Sequence, residues 1–556
     1  MKNKIKRFIS LILAFTIVFS VISMTSCDYF GNENNGTGDD SNVGDDTPHV
    51  PVLDPVDDNY RTFYQIFVGS FSDGNGDGIG DLQGIINRID YLNDGDITAG
   101  DDLGVQGIWL SPIFSSPSYH KYDAKDYYQV DWRFGNEESL KELIDLCHER
   151  NVKIILDLVI NHTSSQHEWF IQFKNARMSG DTENKYYDYY TCVSTAEKNN
   201  NATYQKIAGT DYWYECNFSG DMPELNYDNP VVKEEMLNVA KYYLDLGIDG
   251  FRFDAVKYIY FGEATRCVEF WKWYMGELEA YCPNIYCVGE CWSGDTEILE
   301  YYGAMDCFGF AFSQQEGAIA TAAKGMSNIS NYTGYVSSWQ MRTNAKNPNG
   351  MVMSFLSNHD MDRIAGAFVT ENNMRMAANL NILTPGSPFI YYGEELGLRG
   401  SRGSANTDAN RRLAMPWGTE ENVVSNPTGA NYPEANQIKS TVASQIADEN
   451  SLYNYYCDLI AIRHKYSAIA RGKYISIVTT EKTLGGFLIE YNDERLCIMH
   501  NTSATDEITY DLSKASALAG FAQFELGDFI GVSNAKIDGT SLTVGPQTSV
   551  VIKLAK

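Results

Sequence analysis

GFRFDAVKY, residues 250–258, ends a β-type run in charged side chains, with Arg252 two positions before Asp254 and therefore on the same face of an extended chain. Three other segments are built the same way: DLVINH (157–162), CVGEC (287–291) and FLSNHD (355–360). Working outward from these four, β-type runs recur at 63–68, 105–110, 152–159, 250–253, 285–289, 304–308, 352–356 and 389–392. Helical periodicity at 137–150, 231–246, 263–281 and 371–384 separates most of them. Eight runs alternating with helices predict an α/β fold, a (β/α)8 TIM barrel. The carboxyl ends of barrel strands converge on one mouth, which gathers the polar ends of the four segments.

The gap between the third and fourth runs is too long for one helix. Residues 161–228 are rich in Tyr, Asn, Gly and Asp, and predict a small irregular domain inserted after strand 3. The barrel then occupies 59–160 and 229–434. Residues 435–556 hold a helical stretch at 446–466, read as the final barrel helix. They also hold β-type runs at 472–478, 484–491, 496–501, 508–511, 521–526 and 549–554, read as a C-terminal antiparallel, sandwich-like β domain.

The first 27 residues pass from a basic stretch through an apolar one to small and polar residues ending at Cys27, the order of an export signal. This end resembles a bacterial lipoprotein signal, in which Cys27 becomes the lipidated first residue; plain secretion and a retained membrane helix are the other readings. Residues 28–58 read as a flexible acidic linker. The expected location is the surface of a bacterial cell, lipid-held and facing outward, and Asp28 after the cysteine fits a Gram-positive surface. The chain is 556 residues long with a formal charge of −30, which excludes nucleic acid as a partner and favours a neutral ligand. Its aromatic content, 13%, offers surface for stacking such a ligand. Eleven cysteines over this length do not make a disulfide scaffold. Cys282, Cys287 and Cys291 are read as packed small hydrophobes rather than a zinc site.

Taken together, the four segments resemble the four signature regions of the α-amylase superfamily, family 13 of the glycoside hydrolases. Order, content and placement on strands three, four, five and seven all agree, and the resemblance covers nearly all of residues 60–556. It implies that Asp254 is a nucleophile forming a glycosyl-enzyme, that Glu290 is the acid/base, and that Asp360 is a third carboxylate holding substrate hydroxyls. It implies sugar contacts for His162, His359 and Tyr122, the last in SYHKYD, with Asp157 orienting Arg252. Lys257 matches a lysine that contacts sugar on the leaving side in α-amylases, although Tyr258 replaces the usual following histidine. The chemistry itself asks for two carboxyl groups about 5–5.5 Å apart when configuration is retained. Arg252 is placed to keep Asp254 ionised, and an acid at Glu290 needs a raised pKa.

Asp73, Asn75, Asp77 and Asp81, with the Ile79 carbonyl, alternate with glycines in a loop whose spacing suits one calcium ion. By resemblance, a second calcium site would use Asn161, Glu224 and the Tyr258 carbonyl. The segment MPELN (222–226) resembles the signature of members lying between oligo-1,6-glucosidases and neopullulanases, several of them lipoprotein α-amylases. With Lys257 it favours endo-hydrolysis of α-1,4 bonds in starch and maltooligosaccharides by a monomeric catalytic body. The alternatives are a neopullulanase or cyclomaltodextrinase, with transglycosylation, and an α-1,6-glucosidase. A non-catalytic glucan-binding lipoprotein is disfavoured because all three carboxylates are present. The loops at 294–297 and 400–412 would form the far side of the groove, with Arg399 or Arg402 as a sugar anchor. RRLAMPW (411–417) resembles a loop lining the same entrance.

Overall fold

The computed structural model describes residues 58–96 and 102–556. The export signal, Cys27 and nearly all of the linker lie outside the described residues.

Seven strands make one parallel sheet: β1 (Phe63–Ile66), β2 (Gly107–Leu110), β3 (Lys153–Leu158), β4 (Gly250–Phe253), β5 (Tyr286–Gly289), β6 (Asp306–Cys307) and β7 (Phe389–Tyr391). Their spatial order is β6-β5-β4-β3-β2-β1-β7. Barrel strands are covered by helices outside and by one another's side chains inside, and β1, β2 and β4 are buried at every position. The run at 352–356 is not a full strand. Its entry is tied by a side chain, since the Met351 amide donates to Asp306 at 3.0 Å. What remains is two parallel bridges, Phe308 to Met353 and Phe355 to Phe389, which join the two edges of the sheet and close the ring.

The helices on the outside start where local chemistry tells them to. Asn136 and Ser139 form a reciprocal cap on Glu137–Glu149. Asn229 caps Pro230–Asp245, whose proline occupies the first turn, where no amide hydrogen is needed. The segment inserted between β3 and β4 is more regular than its composition suggests. It contains the helix Glu168–Ser179 and a three-stranded antiparallel sheet with Tyr212–Glu215 between Cys192–Ser194 and Tyr204–Lys206.

After the helix Leu452–Lys465 come a five-stranded and a three-stranded antiparallel sheet with an apolar core of their own that includes Leu484, Met499, Leu542 and Val550. The hairpin Ala535–Asp538 with Ser541–Val544 escaped the sequence reading. Its signal is Asp538-Gly539, with Gly539 at φ 61° opening a two-residue loop.

Gly250 begins β4 at φ 154°, and a Cβ there would lie 1.8 Å from the Tyr286 carbonyl oxygen of β5. Backbone cannot yield as a flexible side chain can, so Gly250→Ala is expected to cost about 3 kcal/mol or more. The check is a denaturant titration, in which an unchanged midpoint would contradict the tight contact between β4 and β5.

Candidate active site

The polar ends of the strands meet around one buried cation. Arg252, on β4, is fully buried, and its Nη1 lies 2.7 Å from Asp157 Oδ1 and 2.8 Å from Asp254 Oδ1. Its Nη2 lies 2.9 Å from Glu290 Oε2. Asp157 comes from β3, Asp254 follows β4, and Glu290 follows the adjacent β5. The amide of Ala255 also donates to Glu290, at 3.2 Å. Ala255 adopts a left-handed conformation, φ 49°, which turns the chain sharply after Asp254.

One guanidinium cannot neutralise three carboxylates away from water. Burial pushes Glu290 up to about 8 against the pull of Arg252, and the Asp254 and Asp360 charges add to the rise. Burial also pushes Asp157 up, to about 7, so Glu290 is the member raised furthest and the one that holds a proton most firmly at neutral pH.

Opposite stands Asp360. Burial would raise its pKa, but His359, at 2.9 Å, and Arg412, at 2.7 Å, hold it well below the usual carboxylate range. Tyr122 donates to Asp157 at 2.7 Å, and its ring stacks on that of His359 with centroids 5.2 Å apart. His162 Nε2 lies 3.1 Å from the Tyr122 carbonyl oxygen, and burial keeps its pKa low. The structure thus brings Tyr122, Asp157, His162, Arg252, Asp254, Glu290, His359 and Asp360 together. Lys257 reaches the same cavity but spends its ammonium on the Trp292 carbonyl, at 2.7 Å.

The cavity measures about 880 Å³, within the range of small-molecule sites. Arg402 lines it, paired with Asp408 at 2.7 Å, whereas Arg399 borders a different cavity, which settles the choice between them. Sequence reasoning missed several residues here. Trp292, stacked on Phe310 with centroids 5.2 Å apart, forms one wall. Phe218 and Met222 come from the inserted segment. Arg412 and Gln65 act through Asp360 and His359. Gln65 had a readable signal, as the one amide in the apolar run FYQI, and Arg412 sits in the RRLAMPW loop.

The expectation of calcium is overturned. Among the described residues, no group of three or more His, Cys, Asp or Glu side chains is placed to hold a metal ion. At residues 73–81 the carboxylates turn inward on their own loop. Asp73 accepts from the amides of Asn75, Gly76 and Gly78, and Asp77 accepts from that of Ile79. Asp81 accepts from Gly74 and caps Leu82–Ile86 through Gly84. Asn75 is likewise engaged, accepting from Asp77. At the second location, that of Asn161, Glu224 and the Tyr258 carbonyl, Glu224 accepts from the Asn217 amide at 2.9 Å, burial pushes its pKa up to about 8, and it too belongs to no such group of ligating side chains. No helix of the described residues is long and apolar enough to cross a membrane. All ten described cysteines are free, and Cys291 is buried as a packing residue.

Two carboxyl groups on neighbouring strands, one of them protonated, are what breaking a glycosidic bond needs. Fold and site together define a carboxylate-based enzyme of glycosidic bonds. Comparison with known proteins narrows the class, since the family described as alpha amylase, catalytic domain, matches residues 65–472. Alpha-amylase 3 of Dictyoglomus thermophilum is 34% identical over 502 residues, 88% of this chain and 93% of its own. A 4-alpha-glucanotransferase of Thermotoga maritima is 30% identical over 462 residues, 81% of this chain and 97% of its own. The solved structure of Eubacterium rectale Amy13B superposes with a TM-score of 0.82 at 32% identity, covering 90% of this chain and 96% of that one. More distant relatives carry the names oligo-1,6-glucosidase and trehalose synthase/amylase. The chain belongs to the α-amylase family, and its catalytic machinery is of the kind that acts on glucosidic bonds.

The inward-turned loop at 73–81 has a direct check. Exhaustive treatment with a chelator is expected to leave the melting temperature and the activity on maltooligosaccharides unchanged, read by scanning calorimetry and reducing-sugar release. A large fall in the melting temperature, reversed by calcium, would contradict it.

Proposed function

We propose that the chain is a retaining enzyme of short and cyclic α-glucans, of the neopullulanase and cyclomaltodextrinase kind, that passes its glycosyl group to water or to a sugar hydroxyl. The observation that carries the chemistry is the contact of Arg252 with both Asp254 and Glu290. Asp254 attacks the anomeric carbon and displaces the leaving oxygen, which takes the proton from Glu290. Glu290, now ionised, removes a proton from the incoming water or sugar hydroxyl, whose oxygen displaces Asp254 and regenerates both groups. Asp360, kept ionised by Arg412, accepts hydrogen bonds from ring hydroxyls. Tyr122, His162 and His359 pack and bond around the same ring, and Lys257 stands on the leaving side.

The preference for short substrates, and for transfer beside hydrolysis, is supported by two things. Arg402, Asp408 and Arg411 join Asp362 in a charged wall across one end of the cavity. Relatives named 4-alpha-glucanotransferase, oligo-1,6-glucosidase and trehalose synthase/amylase stand beside the alpha-amylase among the names given above. This moves the reading away from the polymer-cutting endo-amylase that MPELN and Lys257 favour. From the sequence order of residues 1–27 we further propose attachment through lipid on Cys27 at an outward-facing bacterial surface, with a monomeric catalytic body.

The proton on Glu290 sets the pH dependence. Its pKa is raised to about 8, so the acid form needed for the first step is present at neutral pH and lost above it. The expected kcat/KM profile falls as pH rises through about 8, and Glu290→Gln removes both that limb and most of the activity. A profile flat to pH 10 or so would remove Glu290 from the acid role.

The substrate reading is tested by following products from cyclomaltodextrin, pullulan, panose, maltotriose and amylose with residues 59–556. Fast opening of cyclomaltodextrin and products longer than the supplied maltotriose are expected, with amylose slower. Early mixed maltooligosaccharides from amylose, with the cyclic substrate and pullulan spared, would restore the endo-amylase. Fast cleavage of panose alone would indicate an α-1,6-glucosidase.

A further inference from the structure

Gln65 lies on β1, almost wholly buried at 1% exposure, and none of the mouth's carboxylates sits on its strand. Its Nε2 is 2.7 Å from Nδ1 of His359. A carboxamide NH2 only donates, so Nδ1 offers its lone pair and the ring hydrogen sits on Nε2. That atom is 2.9 Å from Asp360 Oδ2 and 2.6 Å from Tyr122 Oη. Tyr122 gives its own hydrogen to Asp157, which leaves its oxygen free to accept from Nε2. One tautomer serves all these links, its single Nε2 hydrogen being shared between Asp360 and Tyr122. In the other, an Nε2 lone pair would face the Asp360 carboxylate, and two donors would meet at Nδ1.

We propose that Gln65 is a positioning residue that sets the tautomer of His359, and through that ring fixes where Asp360 and the Tyr122 ring point. Among the described residues, the remaining surroundings of the ring supply no competing hydrogen-bond partner for Nδ1. Arg412 donates from Nε to the His359 carbonyl oxygen, at 3.0 Å, rather than to the ring. Arg252 bonds to Asp157 and Asp254, and Phe67 and Trp109 present their rings. The role in substrate handling rests on the proposed reading of Asp360 as a sugar contact. The tautomer itself does not.

The test uses the protein with 15N-labelled histidines, the His359 signals being assigned by their loss in His359→Gln. At neutral pH the expected pattern is a neutral ring with hydrogen on Nε2 and none on Nδ1. Gln65→Met keeps the length and removes the donor; it is expected to lose the single pattern and to lower kcat/KM by about tenfold or more, with the main loss in kcat. Gln65→Glu is nearly isosteric and guards against a folding defect. It is expected to draw a hydrogen onto Nδ1 and to displace the pH–rate profile. A wild-type ring protonated on Nδ1 would overturn the proposal, as would a Gln65→Met enzyme with an unchanged nitrogen pattern and kcat/KM within about twofold of wild type. If the chain turned over no glucan at all, the proposed function would fail while the nitrogen pattern still decided the tautomer.

Discussion

The architecture depends on a single cation held out of water. Arg252 is fully buried and within 3 Å of carboxylates on three successive strands. Withdrawing a guanidinium from water is costly, and the cost is offset only while its partners are in place. Removing one partner of such a pair typically costs about 3–5 kcal/mol. The same contact ties strand order to chemistry. β3, β4 and β5 must be adjacent and in register for Asp157, Asp254 and Glu290 to reach one side chain. With too little positive charge for three anions, part of the demand is met by a proton, and burial beside the Asp254 and Asp360 charges draws that proton to Glu290.

Much of this was legible in the sequence. The alternation of runs and helices placed the barrel because parallel strands must be apolar on both faces, and the four polar strand ends located the mouth. The polar residues named from those ends do assemble. The misreading of residues 73–81 as a calcium site has one cause. A glycine-rich acidic loop has two ways to satisfy its carboxylates, a cation or its own amides, and spacing does not distinguish them. The tightly turned backbone at Gly76 and Gly78 aims amide hydrogens at Asp73, an outcome visible only in three dimensions.

Gln65, Arg412, Trp292 and Phe218 were hidden for a different reason. Phe218, Trp292 and Arg412 reach the cavity from the inserted segment, the turn after β5 and a loop, and Gln65 touches His359 from β1, so none of them belongs to the four polar segments. The insertion looked irregular because its strands are only three or four residues long and its composition is that of loops.

The two bridges that replace a seventh full strand have a consequence for the mouth. That run leads directly to His359 and Asp360, so the backbone ladder there does little to locate them. Their placement passes to side chains from distant parts of the chain, Gln65 from the first strand and Arg412 from the final loop. The third carboxylate is therefore assembled last in the logic of the fold, when both ends of the barrel have already met.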